Sequence, residues 1–241
     1  MPVWREVSAL QTGRSSGWGW PVGMAPLYHF TVPRVRARMD AAKEKPEEPR
    51  SLAQLNRMLA AAPPMVEGGT RAVPGEGPRH ALLALVGEQP GDQEDREGRP
   101  FVGPAGWLLD RALQEAGVER DKSYVTNAVK HFKFIRRGKR RIHSKPTAGE
   151  VRHYRWWLER ELDLVQPRLV VALGATAALA LAGKPVAIGR GRGPMVLDGR
   201  PGYVTIHPSF ILRMPQEDRA AAFRAFVADL KKAKGLAERA A

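Results

Sequence analysis

"ALLALVGEQPGDQEDREGRPFVGPAGWLLDRALQEAGVERDKSYVTNAV", Ala81 to Val129, carries the alternation that decides the fold. "ALLALVG" is too short and too uniformly apolar for a surface helix and reads as a buried strand. "GPAGWLLDRALQEAGV" spaces its apolar residues at helical intervals, and "SYVTNAV" is β-branched and aromatic again. Outward from this unit the pattern repeats. "TAGEVRHYRWWLERELDLV" predicts a helix capped by Thr147, "RLVVALG" a strand, "ATAALALAG" a helix, "GYVTIHP" a last strand and "QEDRAAAFRAFVADLKKAKG" a closing helix. Strands apolar on both faces, alternating with helices, predict a mainly parallel central sheet in a three-layer α/β/α arrangement.

Upstream, "SLAQLNRMLAAA" reads as a short helix with Ser51 as its N-cap. Residues 1–50 mix Trp4, Trp18, Trp20, several Gly and Pro and a charged run without a sustained period. They read as a poorly ordered extension or the remnant of another module, leaving residues 51–241 as the main domain.

Composition narrows the function classes. Lys and Arg number 39 against 25 acids, a formal charge of +14, which makes a polyanion the default partner. The excess is concentrated: "KHFKFIRRGKRRIHSKP", Lys130 to Pro146, holds eight Lys or Arg and no acid. With no cysteine in the chain, thiol nucleophiles, disulfides and cysteine-ligated metals are excluded. No run approaches the ~18 apolar residues of a membrane span and no signal-peptide core is present, so the expected location is the cytoplasm.

Ligand sites of open α/β sheets gather at the carboxyl ends of the strands. "GEQPGDQEDREGRPFVGPAG" follows the first strand, Asn127 and then the basic loop follow the second, and "HPSFILR" follows the last. "GEQPGDQED" matches neither a phosphate-binding loop nor the dinucleotide fingerprint, and "GRGRG", Gly189 to Gly193, does not open a helix after a strand and reads as a basic turn able to touch phosphate.

Together, "GEQPGDQEDREGRPFVGPAG", "VTNAVKHFKF", "GKRRIH" and "HPSFILR" resemble the uracil-DNA glycosylase superfamily over about residues 80–235. Gln89 followed by "PGDQED", and above all "KRRIH", resemble its UdgX branch, whose members become covalently linked to uracil-containing DNA. The resemblance implies uracil-containing DNA, single-stranded or locally opened, as partner, uracil as the released base, and a monomeric protein. It places Glu88, His143 and His207 in catalytic roles, Gln89, Asp92, Phe101 and Asn127 at the substrate, and Lys139, Arg140, Arg141, Ser209 and Arg213 on DNA. It also implies an iron–sulfur cluster, from which this chain departs: Ala60 and Pro63 stand where a Cys-x-x-Cys pair belongs and Tyr154 where another cysteine belongs. The expectation is therefore no metal and no cofactor, with aromatic and apolar side chains, and His131, in the vacated volume.

The residue types suit the chemistry. Phe101 can stack on an extruded ring, and the Asn127 amide can match a uracil carbonyl and imide N–H, whereas cytosine presents the opposite edge. His207 can hydrogen-bond the carbonyl as charge develops on the leaving base. Glu88 can stabilise an oxocarbenium-like sugar or take a proton from the nucleophile. By the resemblance, that nucleophile is His143. Two alternatives stay open: a recycling glycosylase in which Glu88 or Asp92 positions water, and a non-catalytic DNA-binding module.

Overall fold

The computed structural model describes residues 48–239, so nearly all of the extension read over residues 1–50 lies outside the described residues. In chain order the elements are α1 (Leu52–Ala61), β1 (Leu83–Gly87), α2 (Asp92–Glu97), α3 (Pro104–Ala116), β2 (Tyr124–Asn127), β3 (Phe134–Arg137), β4 (Arg140–His143), α4 (Ala148–Val165) and β5 (Leu169–Leu173). They continue with α5 (Ala175–Ala182), α6 (Ile188–Gly191), β6 (Gly193–Leu197), β7 (Arg200–Thr205), α7 (Pro208–Arg213) and α8 (Gln216–Arg239).

Five strands form one sheet in the order β2-β1-β5-β7-β6. All neighbours are parallel except β6, which runs antiparallel to β7 at the edge. Side-chain alternation divides the core. Ala84 and Val86 of β1 face a cluster with Leu158 and Leu162 of α4 and Ala177, Ala178 and Leu181 of α5. Leu83 and Leu85 face Leu109 and Leu113 of α3 and Phe226 and Leu230 of α8. The α/β/α layering predicted from the sequence is the observed one. Among the described residues no helix is long and apolar enough to cross a membrane.

The local helix signals act as read. The Ser51 side chain accepts from the Gln54 N–H, and Thr147 and Glu150 form a reciprocal capping box at the start of α4. Two features differ from the expectation. The basic "loop" is a β-hairpin, with Phe134 opposite His143 and Arg137 opposite Arg140. Gly138 at φ 58° reverses the chain in a two-residue turn, a conformation glycine adopts without strain. The second is β6, joined to β7 by Asp198 and Gly199, both at positive φ, as a tight hairpin turn demands.

One polar cluster lies inside the core. Glu161 of α4 accepts from the Gly75 N–H at 2.8 Å, Tyr124 Oη at 3.0 Å, Thr126 Oγ1 at 2.7 Å and Lys130 Nζ at 2.5 Å. Lys130, the first cation of the basic stretch, is 1 % exposed and unavailable to DNA. Burial pushes its ammonium below the ordinary lysine value, and Glu161 counteracts this. Removing one partner of such a pair leaves a charge in the core, so Glu161→Ala is expected to lower unfolding free energy by ~3–5 kcal/mol in a denaturant titration. A loss under 1 kcal/mol would mean that water reaches Lys130.

Candidate active site at the carboxyl edge of the sheet

The carboxyl ends of the parallel strands open onto one cavity of about 1080 Å³, lined among others by Glu88, Asn127, His143, Gly174 and His207. Each comes from a different element. Glu88 follows β1, Asn127 ends β2, His143 ends β4, Gly174 follows β5 and His207 is the N-cap of α7.

Glu88 is held from two sides. Thr176, in the first turn of α5, donates through Oγ1 to Glu88 Oε2, and His143 Nε2 lies 3.2 Å from Oε1. Burial alone opposes ionisation of this carboxyl, but the hydrogen bonds from His143 and Thr176 outweigh it and hold Glu88 below its ordinary value. It is a carboxylate at neutral pH.

His207 is the opposite case. Burial pushes its imidazole down to about 4, despite the nearby Glu88 charge, so it is neutral at pH 7. Its Nδ1 accepts the Ser209 N–H at 3.1 Å, so the ring proton resides on Nε2. Arg213 Nη1 donates to Ser209 Oγ at 3.1 Å, and that hydroxyl lies 2.8 Å from His207 Nδ1. Ser209 and Arg213, expected on DNA, thus also orient His207.

Phe101 is 6 % exposed and stacks against the His207 ring at 6.2 Å and 27°. Its backbone sits at φ 56°, rare for a bulky residue, over Gly106, where a Cβ would lie 1.8 Å from the Phe101 carbonyl oxygen. Gly87 serves the same wall, since a Cβ there would meet Asn127 Oδ1 at 2.4 Å and Phe101 Cζ at 2.6 Å. Asn127 is 3 % exposed, and among the described residues no group hydrogen-bonds its side-chain amide. Its donors and acceptor are left for what enters the cavity.

Three assigned residues are engaged differently from the expectation. The Gln89 amide donates to the Lys133 and Ser144 carbonyls at 3.1 and 3.2 Å and accepts the Lys133 N–H at 3.2 Å, closing the base of the hairpin. The Arg141 guanidinium, 13 % exposed, turns inward to Asp92 and Asp95 of α2. An arginine facing two carboxylates satisfies its fork there, and with it the Asp92 carboxylate is occupied. Lys139 and Arg140 remain exposed at the hairpin turn. Thr176, which the sequence reading did not assign, borders Glu88, the strand-end position being the available signal, and Lys145 of the basic stretch and Arg192 of the basic turn line the cavity.

A family model described as "Uracil DNA glycosylase superfamily" matches residues 74–231. The chain belongs to the uracil DNA glycosylase superfamily. It is 38 % identical over 168 residues to a type-4 uracil-DNA glycosylase of Thermotoga maritima, covering 68 % of this chain and 82 % of that protein. Over 153 residues it is 36 % identical to the type-4 enzyme of Pyrobaculum aerophilum, 60 % and 74 % of the two chains. Over 106 residues it is 43 % identical to that of Sulfurisphaera tokodaii, 44 % and 45 %.

The residues in the region of the expected cluster do not fit an iron–sulfur group. No thiolate exists in the chain, and Tyr154 Oη accepts the Met65 N–H at 3.0 Å while lying 2.7 Å from His131 Nδ1. Among the described residues no set of three or more His, Asp or Glu side chains converges to hold a metal ion.

The His207 environment generates a pH prediction. Its folded value lies below the ordinary 6.5, so between pH 6.5 and about 4 the unfolded chain binds a proton that the folded chain refuses. Stability contributed by the neutral ring is complete above that window and lost on acidification through it. NMR should show the His207 ring titrating near 4 with its proton on Nε2, and His207→Gln should flatten the pH dependence of the urea midpoint between pH 7 and 5. A titration midpoint near 6.5 would contradict the assignment.

Proposed function

We propose that the protein is a uracil-DNA glycosylase of the UdgX branch, which cleaves the N-glycosidic bond of an extruded deoxyuridine and retains the DNA as a covalent His143–deoxyribose adduct. The observation that carries this reading is the His143 Nε2 to Glu88 Oε1 distance of 3.2 Å at the mouth of the cavity. The relatives named as type-4 uracil-DNA glycosylases support the choice of base and bond.

In this mechanism Phe101 stacks on the flipped uracil, and the free amide of Asn127 pairs with its carbonyl and imide N–H. Neutral His207 donates its Nε2–H to the carbonyl on which charge grows as the C1′–N1 bond breaks; a neutral donor gains most strength at that moment. The bonding electrons leave with uracil as its anion. Glu88 balances the positive charge on the sugar and accepts the Nε2 proton of His143, while the electron pair released from the broken Nε2–H bond forms the bond to C1′. The product is a neutral N-glycosyl imidazole and a protonated Glu88, which returns its proton to solvent or to uracil. Reversal has to expel an imidazolate, a poorer leaving group than the uracil anion, so the adduct persists.

The likeness to the type-4 enzymes favours a second reading, in which Glu88 orients water and the protein turns over. A denaturing gel with uracil-containing single-stranded DNA, together with a count of released uracil, separates the two. A heat- and detergent-stable band, with one uracil released per adduct, is expected; uracil in excess of protein without a band would select hydrolysis, and neither product would refute both. His143→Ser is expected to lose the adduct and admit water, with uracil release continuing. His143→Gln refills the space and should release less. Glu88→Gln should slow bond cleavage by about 10²-fold or more in each background.

A further inference from the structure

Arg192 lies between α6 and β6 within "GRGRG", a segment that the proposed chemistry does not use. It lines the same cavity as Glu88 and His207, and its side chain is 29 % exposed. Its Nε donates to Asp229 of α8, a residue 6 % exposed that also accepts from the Tyr203 and Thr205 hydroxyls. This fixes one edge of the guanidinium. Nη2 is buried without a hydrogen-bond partner among the described residues, and no acceptor there meets Nη1. Nη2 is enclosed by protein and out of reach of a ligand, so Nη1 is the donor left for an acceptor that enters the cavity.

The sheet order says which acceptor. Asn127, Glu88, Gly174, His207 and Arg192 stand along the carboxyl edge in the order of the strands β2, β1, β5, β7 and β6. Strands lie ~4.8 Å apart, so Arg192 is about three spacings, on the order of 14 Å, from the β1 end that carries Glu88. That exceeds the width of one pyrimidine. The cavity, about 1080 Å³, is likewise just above the roughly 300–1,000 Å³ of small-ligand pockets and has room beyond one base.

Building on the glycosylase reading, we infer that Arg192, oriented by Asp229, binds a backbone phosphate of a nucleotide flanking the extruded one, on the wall of the cavity opposite the hairpin. The Nη1 of a guanidinium held in place by Asp229 is a charged donor suited to a phosphate oxygen, and a contact to the backbone is independent of the neighbouring base. Such a contact positions the DNA strand; the bond-breaking groups remain those above.

The test uses single-stranded DNA carrying one 2′-fluoro-2′-deoxyuridine, whose glycosidic bond resists cleavage, with each flanking phosphate replaced in turn by a neutral methylphosphonate. Arg192→Gln should bind the unmodified probe about tenfold more weakly, as expected for a hydrogen bond to a charged group, and with a salt slope smaller by about 0.7. One methylphosphonate position should weaken the wild type by a similar factor and the variant not at all. If Arg192→Gln fails to fold, Arg192→Lys, whose single ammonium keeps the ion pair with Asp229 but does not reach on to the phosphate as Nη1 does, should show the same loss of sensitivity at that position. Equal affinity, equal salt slope and equal methylphosphonate penalties in variant and wild type overturn the inference. A wild type that does not distinguish this probe from thymidine DNA refutes the glycosylase reading instead, while the same substitution cycle on thymidine DNA still reads the phosphate contact.

Discussion

The site depends on how a strongly basic two-stranded ribbon is fastened to an otherwise self-sufficient sheet. An isolated hairpin is marginal in water, and this one carries Arg136, Arg137, Lys139, Arg140 and Arg141 close together. Arg141 resolves the difficulty by giving its guanidinium to Asp92 and Asp95, over the rings of Phe132 and Phe134. Gln89 adds three hydrogen bonds to the hairpin base. Since Gln89 and Asp92 belong to the loop and helix that follow Glu88, the same segment that carries the carboxylate also holds the strand that ends in His143. The 3.2 Å approach of the two side chains is thus built into neighbouring backbone, which is the condition for a large effective molarity.

Around that pair the protein separates the charge states of its titratable groups. Glu88 stays ionised because Thr176 and His143 hydrogen-bond to its oxygens, and His207 stays neutral because burial penalises its cation. A carboxylate for developing positive charge and a neutral N–H donor for developing negative charge are what heterolysis of a glycosidic bond requires. Both are prepared before any ligand arrives. Phe101 carries an unusual backbone conformation in this wall, and the space that Gly87 and Gly106 leave shows the neighbouring chain built around it.

What was legible in the sequence was local. Apolar runs specify strands through side-chain period, and Ser51 and Thr147 cap helices through hydrogen bonds spanning three residues. The placement of Glu88, Asn127 and His207 at one edge followed from the topology of a parallel sheet. The turn at Asp198–Gly199 is equally local, yet the adjoining Gly and Arg residues read as a continuous turn and conceal the edge strand β6. The partners of Arg141, Gln89 and Lys130 could not be read in the same way. Arg141 and Asp92 are 49 residues apart, and Lys130 and Glu161 are 31 apart. A basic run has the same composition whether each cation faces phosphate or an internal carboxylate; only the fold distributes them.

In a chain without thiolates, the region around Tyr154 is held by hydrogen bonds and packing. An iron–sulfur cluster would fasten distant segments by coordinate bonds, whereas here Tyr154 joins the Met65 backbone to His131. Tyr154 is fully buried, and burial pushes its hydroxyl up to about 12, so it remains a neutral donor and acceptor. Its ring also belongs to the core that α4 shares with the sheet. A hydrogen-bonded aromatic residue is weaker than a metal cross-link, but it fills space, satisfies one backbone N–H and needs no assembly. The segment it ties down leads through Gly68 and Gly69, which press against Phe134 and His131, towards the hairpin itself. Tyr154 therefore supports the base of the ribbon that presents His143.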